Sequence, residues 1–161
     1  MEEITKELET IDYDEKKWNN EPLSDLIDHI LVTYHRPLDD ELPRLEQMVC
    51  KVYDVHGDKD PGMFAELKNV YMKEEQILFP MIKRGEGSMA SSPVEVMMFE
   101  HDNAGNALKR FRELTNDYNV PEEACNTWKA LWHGLEAMEE SLHQHIHLEN
   151  NILFPRALKG E

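Results

Sequence analysis

Residues 145–155 read His-Ile-His-Leu-Glu-Asn-Asn-Ile-Leu-Phe-Pro, and residues 70–80 read Val-Tyr-Met-Lys-Glu-Glu-Gln-Ile-Leu-Phe-Pro. The two stretches share E-x-x-I-L-F-P, aligned so that Glu74 matches Glu149 and Val70 stands where the second copy has His145. Two acid-bearing helical segments of this kind predict a pair of carboxylates facing each other across a helical bundle. In the second copy His145 and Glu149 lie at i and i+4 and project from one face. They continue the apolar line of Leu135, Met138 and Leu142. His143 and His147 form another i,i+4 pair, turned by about 200° from the neighbour two residues along. Those two are expected to face solvent or another side.

Outward from these segments, almost nothing reads as a strand. Residues 1–21 read as a loose or partly helical lead-in, and residues 22–161 as the folded domain. A first helix starting near Pro22 carries Leu23, Leu26, Ile27, Ile30, Leu38, Leu42, Leu45 and Val52 at spacings of three and four. Pro37 and Pro43 argue against a straight helix, because proline lacks an N–H and crowds the preceding turn. The segment HGDKDPG, residues 56–62, is a turn by composition. A second helix over about 61–83 contains the first copy of the repeat. Ser92, Pro93 and Glu95 read as N-cap, first position and capping-box partner of a third helix. Asn119-Val120-Pro121-Glu122 is a similar signature before a fourth. Short links between long amphipathic helices imply antiparallel neighbours, hence an all-α, up-down four-helix bundle.

Polar residues on the apolar stripes are the informative ones. Glu74 falls on the core line of the second helix, with Glu75 near its border. His101 lies inside the stripe of the third helix, and His35 sits between Tyr34 and Leu38 in the first. Each has an ordinary reading: a helical histidine is usually a surface or hydrogen-bonded residue, and His145–Glu149 could be a helix ion pair. Jointly they put an inward His or Glu on each of four helices. Two facing buried carboxylates repel unless a proton or cation intervenes. A dinuclear metal centre bridged by Glu74 and Glu149 resolves that. Imidazole with carboxylate suits iron, manganese or zinc, and bridged sites in bundles favour iron. The ILFP segments read as structural, and Met72, Met81, Met97, Met98 and Met138 as core filling.

The composition narrows the class. Formal net charge is −16, with 17 Lys and Arg scattered along the chain, which disfavours a general nucleic-acid or anionic-membrane binder. Apolar residues make up 40 %, so the acidity does not imply disorder. No apolar run approaches the ~18 residues of a membrane span, and the acidic start has no signal-peptide character, so a cytoplasmic protein is expected. Cys50 and Cys125 form no CxxC pair and read as buried thiols.

At these residues the chain resembles the hemerythrin-like domain of the iron-sulfur cluster repair family, the RIC or YtfE-type di-iron proteins. The matching stretches are MKEEQILFPMI at 72–82, EHDNAG at 100–105 and HIHLENNILFPRAL at 145–158, with YH at 34–35, LP at 42–43 and VH at 55–56. The resemblance covers roughly 22–161. It implies two non-haem iron ions held by His35, Glu74, His101, His145 and Glu149, with both glutamates bridging. His56 also matches a family histidine, but lies about 31 Å from His35 if both share one continuous helix. It would then need a marked bend, or serve beside the site or along a channel. Two departures accompany the match. A terminal histidine of the family is replaced by Val70, which cannot donate to a metal, and the family's N-terminal domain with paired cysteines is not seen.

The implied function is repair of iron-sulfur clusters damaged by nitric oxide or oxidants, with damaged or apo iron-sulfur proteins as partners and iron donation as one route. The alternative is a hemerythrin-type carrier or sensor of oxygen or nitric oxide. A third class is redox turnover such as nitric-oxide reduction, although no flavin or nicotinamide motif suggests a built-in donor.

Overall fold

The computed structural model describes the backbone of residues 17–56 and 62–161, and the side chains of 17–52 and 68–161. Among the described residues the structure is all-α. A first rod runs through α1 (Leu23–Ile30), a π-helical turn (Leu31–His35) and α2 (Arg36–His56). A second runs through α3 (Gly62–Lys73), a π turn (Glu74–Leu78) and α4 (Phe79–Lys83). After a 3₁₀ turn (Gly87–Met89) comes the third rod, α5 (Ser91–Thr115). The fourth is α6 (Asn126–Leu148), a π turn (Glu149–Leu153) and α7 (Phe154–Leu158).

Buried apolar residues gather in two clusters. One contains Leu38, Leu42, Leu45, Tyr71, Leu108, Leu131, Leu135 and Leu142. The other contains Trp18, Leu26, Ile30, Leu78, Phe79, Val94, Met97, Ile152, Leu153 and Phe154. The rods pass from one cluster to the other in alternating directions, which is the up-down-up-down path expected from the short links. Between the clusters each rod contributes a polar residue, so the bundle has a polar waist.

Close approach and termini follow local chemistry. Gly134 lets α6 lie against α2, since a Cβ there would stand 2.5 Å from Leu45 Cδ2. α5 ends where Asn116 takes a left-handed conformation, φ 51°, a cap that asparagine tolerates. Arg156 in α7 donates to the carbonyls of Trp18 and Glu21, each at 2.7 Å, tying the chain ahead of α1 to the last rod.

Several sequence expectations are corrected. α5 begins at Ser91 with Ala90 as N-cap and no side-chain cap, so the Ser92–Glu95 box does not form. Pro93 is accommodated because it lies within the first turn, where amides have no intrahelical partner. α6 begins at Asn126 after an extended Cys125, so residues 119–122 do not cap it. Pro80 and Pro155 lie in the first turns of α4 and α7, just after the π turns. Met97 and Met138 are core residues, whereas Met72 and Met98 are 44 % and 43 % exposed. Cys50 and Cys125 are free and exposed rather than buried.

Candidate metal centre

Five polar side chains form the waist. His35, Glu74, His101, His145 and Glu149 are each no more than 4 % exposed. Their donors divide into two positions. His35 Nε2 lies 3.3 Å from Glu74 Oε2 and 3.7 Å from Glu149 Oε1. His101 Nε2 lies 2.8 Å from Glu74 Oε1 and 3.2 Å from Glu149 Oε2. Each carboxylate therefore turns one oxygen to each histidine, the arrangement of a bridging pair. His145 groups with His35 and Glu149, and Glu74 groups with His101 and Glu149, all donor atoms within 4.8 Å in each set.

Local structure explains how these side chains reach the waist. His35 closes the first π turn, while Glu74 and Glu149 open the second and third. In all three cases a proline, Pro37, Pro80 or Pro155, stands two residues after the turn. A proline ring crowds the carbonyl four residues before it. Those carbonyls belong to Thr33, Gln76 and Asn151, each inside its π turn. Widening the turn relieves the crowding and rotates the flanking side chains. Pro43 sits inside α2 without such a turn, so proline does not impose one by itself.

The repeat carries a second layer that sequence reasoning missed. The residue after each of the two carboxylates, Glu74 and Glu149, holds a histidine on another rod. Glu75 Oε1 lies 2.9 Å from His35 Nδ1, and Asn150 Oδ1 lies 2.8 Å from His101 Nδ1. An acceptor on Nδ1 fixes that nitrogen as the protonated one and leaves Nε2 to face the waist. Arg36 extends the first of these contacts, pairing with Glu75 at 3.0 Å and Asp39 at 2.9 Å. The signal was available: Glu75 and Asn150 occupy the same position of the two copies.

This two-fold relation also locates the mismatch. Exchanging the first rod with the third and the second with the fourth turns His35 into His101 and His145 into residue 70. Val70 therefore corresponds to the position of His101, which among the described residues has one imidazole while its counterpart has two. His56 ends α2, and its side chain lies outside the described residues. His143 is exposed and His147 half-buried, away from the waist as the spacing required.

The electrostatics of the waist are those of a cation site. Burial opposes charge on His35, but Glu149 and Glu74 beside it raise it to about 10. His101 is raised to about 10 against the same opposition by the same two carboxylates. Burial pushes His145 down to about 4, reinforced by His35 and His101. Burial and the charge of Glu149 raise Glu74. Glu149 stays below the usual carboxylate range despite burial, held there by His145, His101 and His35. His35 Nε2, Glu74 Oε2 and both oxygens of Glu149 are buried without a hydrogen-bond partner. Buried carboxylate oxygens are costly in that state, and imidazole–carboxylate donors in two adjoining sets fit two divalent metal ions.

Comparison with known proteins agrees with this geometry. A family model described as the hemerythrin HHE cation binding domain matches residues 26–157. The iron-sulfur cluster repair protein YtfE of Citrobacter koseri is 48 % identical, with 91 % of this chain and 71 % of the relative covered. The YtfE proteins of Escherichia coli O81 and Escherichia fergusonii are 48 % and 47 % identical over the same shares. The bridging pair, the histidines around it and these similarities lead to one conclusion: the chain belongs to the hemerythrin-domain, YtfE-type iron-sulfur cluster repair family, with two His/Glu clusters consistent with a di-iron centre.

Proposed function

We propose that this chain supports repair of damaged or apo iron-sulfur proteins in the cytoplasm, acting as a donor of iron from an unequal pair of metal positions. The residues assigned to the metal ions are His35, His145, Glu74 and Glu149 at one position, and His101, Glu74 and Glu149 at the other. Bound there, iron would supply both a store of transferable metal and a centre able to bind small oxidants or nitric oxide. The observation that carries the donor reading is Val70, which leaves the His101 position one imidazole short. A position with fewer protein donors releases its ion more readily, while the shared glutamates and the His35–His145 pair keep the other ion in place. The cytoplasmic assignment is supported by the absence, among the described residues, of a helix long and apolar enough to cross a membrane.

The test is iron transfer to an apo iron-sulfur acceptor from the anaerobically loaded chain and from its Val70→His variant. Slower transfer by the variant supports donation from the His101 position, and equal or faster transfer overturns it. A second reading, reversible nitric-oxide or oxygen binding, is favoured by a surface cavity of about 190 Å³ bordered by Tyr71 and Glu75, next to His35. Reversible spectral change with no iron loss and no cluster recovery would select that reading.

A further inference from the structure

Tyr71 has no role in the site as described, yet it lies against it. Its side chain is 7 % exposed, and its hydroxyl is buried without a hydrogen-bond partner. The ring centroid stands 4.9 Å from that of His35 and 5.6 Å from that of His145. The two imidazoles are 5.4 Å apart, so the three rings form a nearly equilateral triangle. Tyr71 is also three residues before Glu74 on the same rod, close to the same helix face. A buried phenol without a partner is unfavourable.

We propose that the Tyr71 oxygen is an additional protein donor to the metal position formed by His35, His145, Glu74 and Glu149. This rests on the metal reading given above and deepens it. Ligation breaks the Oη–H bond, forms an Oη–metal bond and sends the proton to solvent, with no change of oxidation state. Phenolate is a hard oxygen donor and suits ferric iron. Among the described residues the two positions then become more unequal: one gains a phenolate beyond two imidazoles and the carboxylates, while the other has one imidazole and the carboxylates. A cavity of about 190 Å³ borders Tyr71 on the side of Leu38 and Leu42.

The experiment titrates the full metal-free chain with ferric iron, and separately with zinc, while bound metal is counted by mass spectrometry. With ferric iron, a visible phenolate-to-iron charge-transfer band with phenolate modes in resonance Raman should grow with the first equivalent. With zinc, an ultraviolet tyrosinate difference spectrum should do so. Tyr71→Phe should abolish both signals and weaken the first equivalent by about tenfold or more, the scale seen for lesser perturbations of metal sites. Tyr71→His should restore affinity without the band, which separates a donor role from a packing role. Normal metal binding with no tyrosinate signal overturns the Tyr71 assignment and leaves the di-metal reading standing. A signal that survives in Tyr71→Phe overturns it equally. A chain that binds neither metal overturns both.

Discussion

At the scale of single residues, the waist depends on groups that orient ligands as much as on the ligands. Glu75 and Asn150 each hold one imidazole by its far nitrogen. Replacing either by alanine is expected to lower metal affinity by about 10–100-fold, with little change in the melting temperature of the metal-free protein. Competition with a chelator measures the first effect and thermal unfolding the second. The ligands themselves divide by position. His101→Ala should leave about half the bound metal, whereas Glu149→Ala should remove nearly all of it, because Glu149 faces both histidines. Elemental analysis after dialysis separates the two outcomes. The inward residues were legible in the sequence because they broke an apolar stripe. Glu75 was visible only as a border residue, and Asn150 not at all, because each acts on a partner forty or more positions away.

At the scale of elements, the helices were legible and their ends were not. Spacings of three and four residues located all four rods, because burial against the core dominates their stability. The cap signatures failed because a Ser-Pro or Val-Pro pair is compatible with several starting points, and tertiary contacts choose among them. The π turns escaped detection because an inserted residue shifts the stripe by one position, which a fixed helical period reads as noise. Their dependence on proline can be tested. Pro155→Ala should let the Glu149–Leu153 turn relax toward α-helix, since it restores a backbone donor and removes the crowding at Asn151. Metal affinity should then fall at least about tenfold, while the metal-free protein melts no lower. Gly87→Ala tests the link that sets α4 against α7. Its Cβ would stand 2.7 Å from the Ala157 carbonyl oxygen, and such overcrowding is expected to destabilise by about 1–3 kcal/mol in a denaturant titration.

At the scale of the whole molecule, two apolar halves are joined through a layer of charge, and the stability of the metal-free protein should follow pH accordingly. His35 and His101 titrate near 10 in the fold against about 6.5 in an unfolded chain. Their contribution is complete below pH ~6.5 and fades as pH rises toward 10. His145 works in the other direction, since its folded value is about 4. Its contribution is present above pH ~6.5 and fades as pH falls toward 4. The metal-free protein should therefore be most stable near neutrality and weaken on both sides, which thermal unfolding across pH would reveal. Bound metal replaces these protons, so the loaded protein should be more stable and lose less on the alkaline side. At a free metal concentration 100 times its dissociation constant, the gain is about 2.7 kcal/mol per independent site.

The contact of Arg156 with the carbonyls of Trp18 and Glu21 has a mechanical consequence. Arg156 lies three residues beyond the turn that presents Glu149, so residues 18–21 and Glu149 share a load path. Tension on the chain ahead of Lys17 would be felt at Glu149 as well as at the outer end of α1. A load applied there would reach that turn both through the Arg156 guanidinium and through Trp18, which packs in the same cluster as Ile152, Leu153 and Phe154.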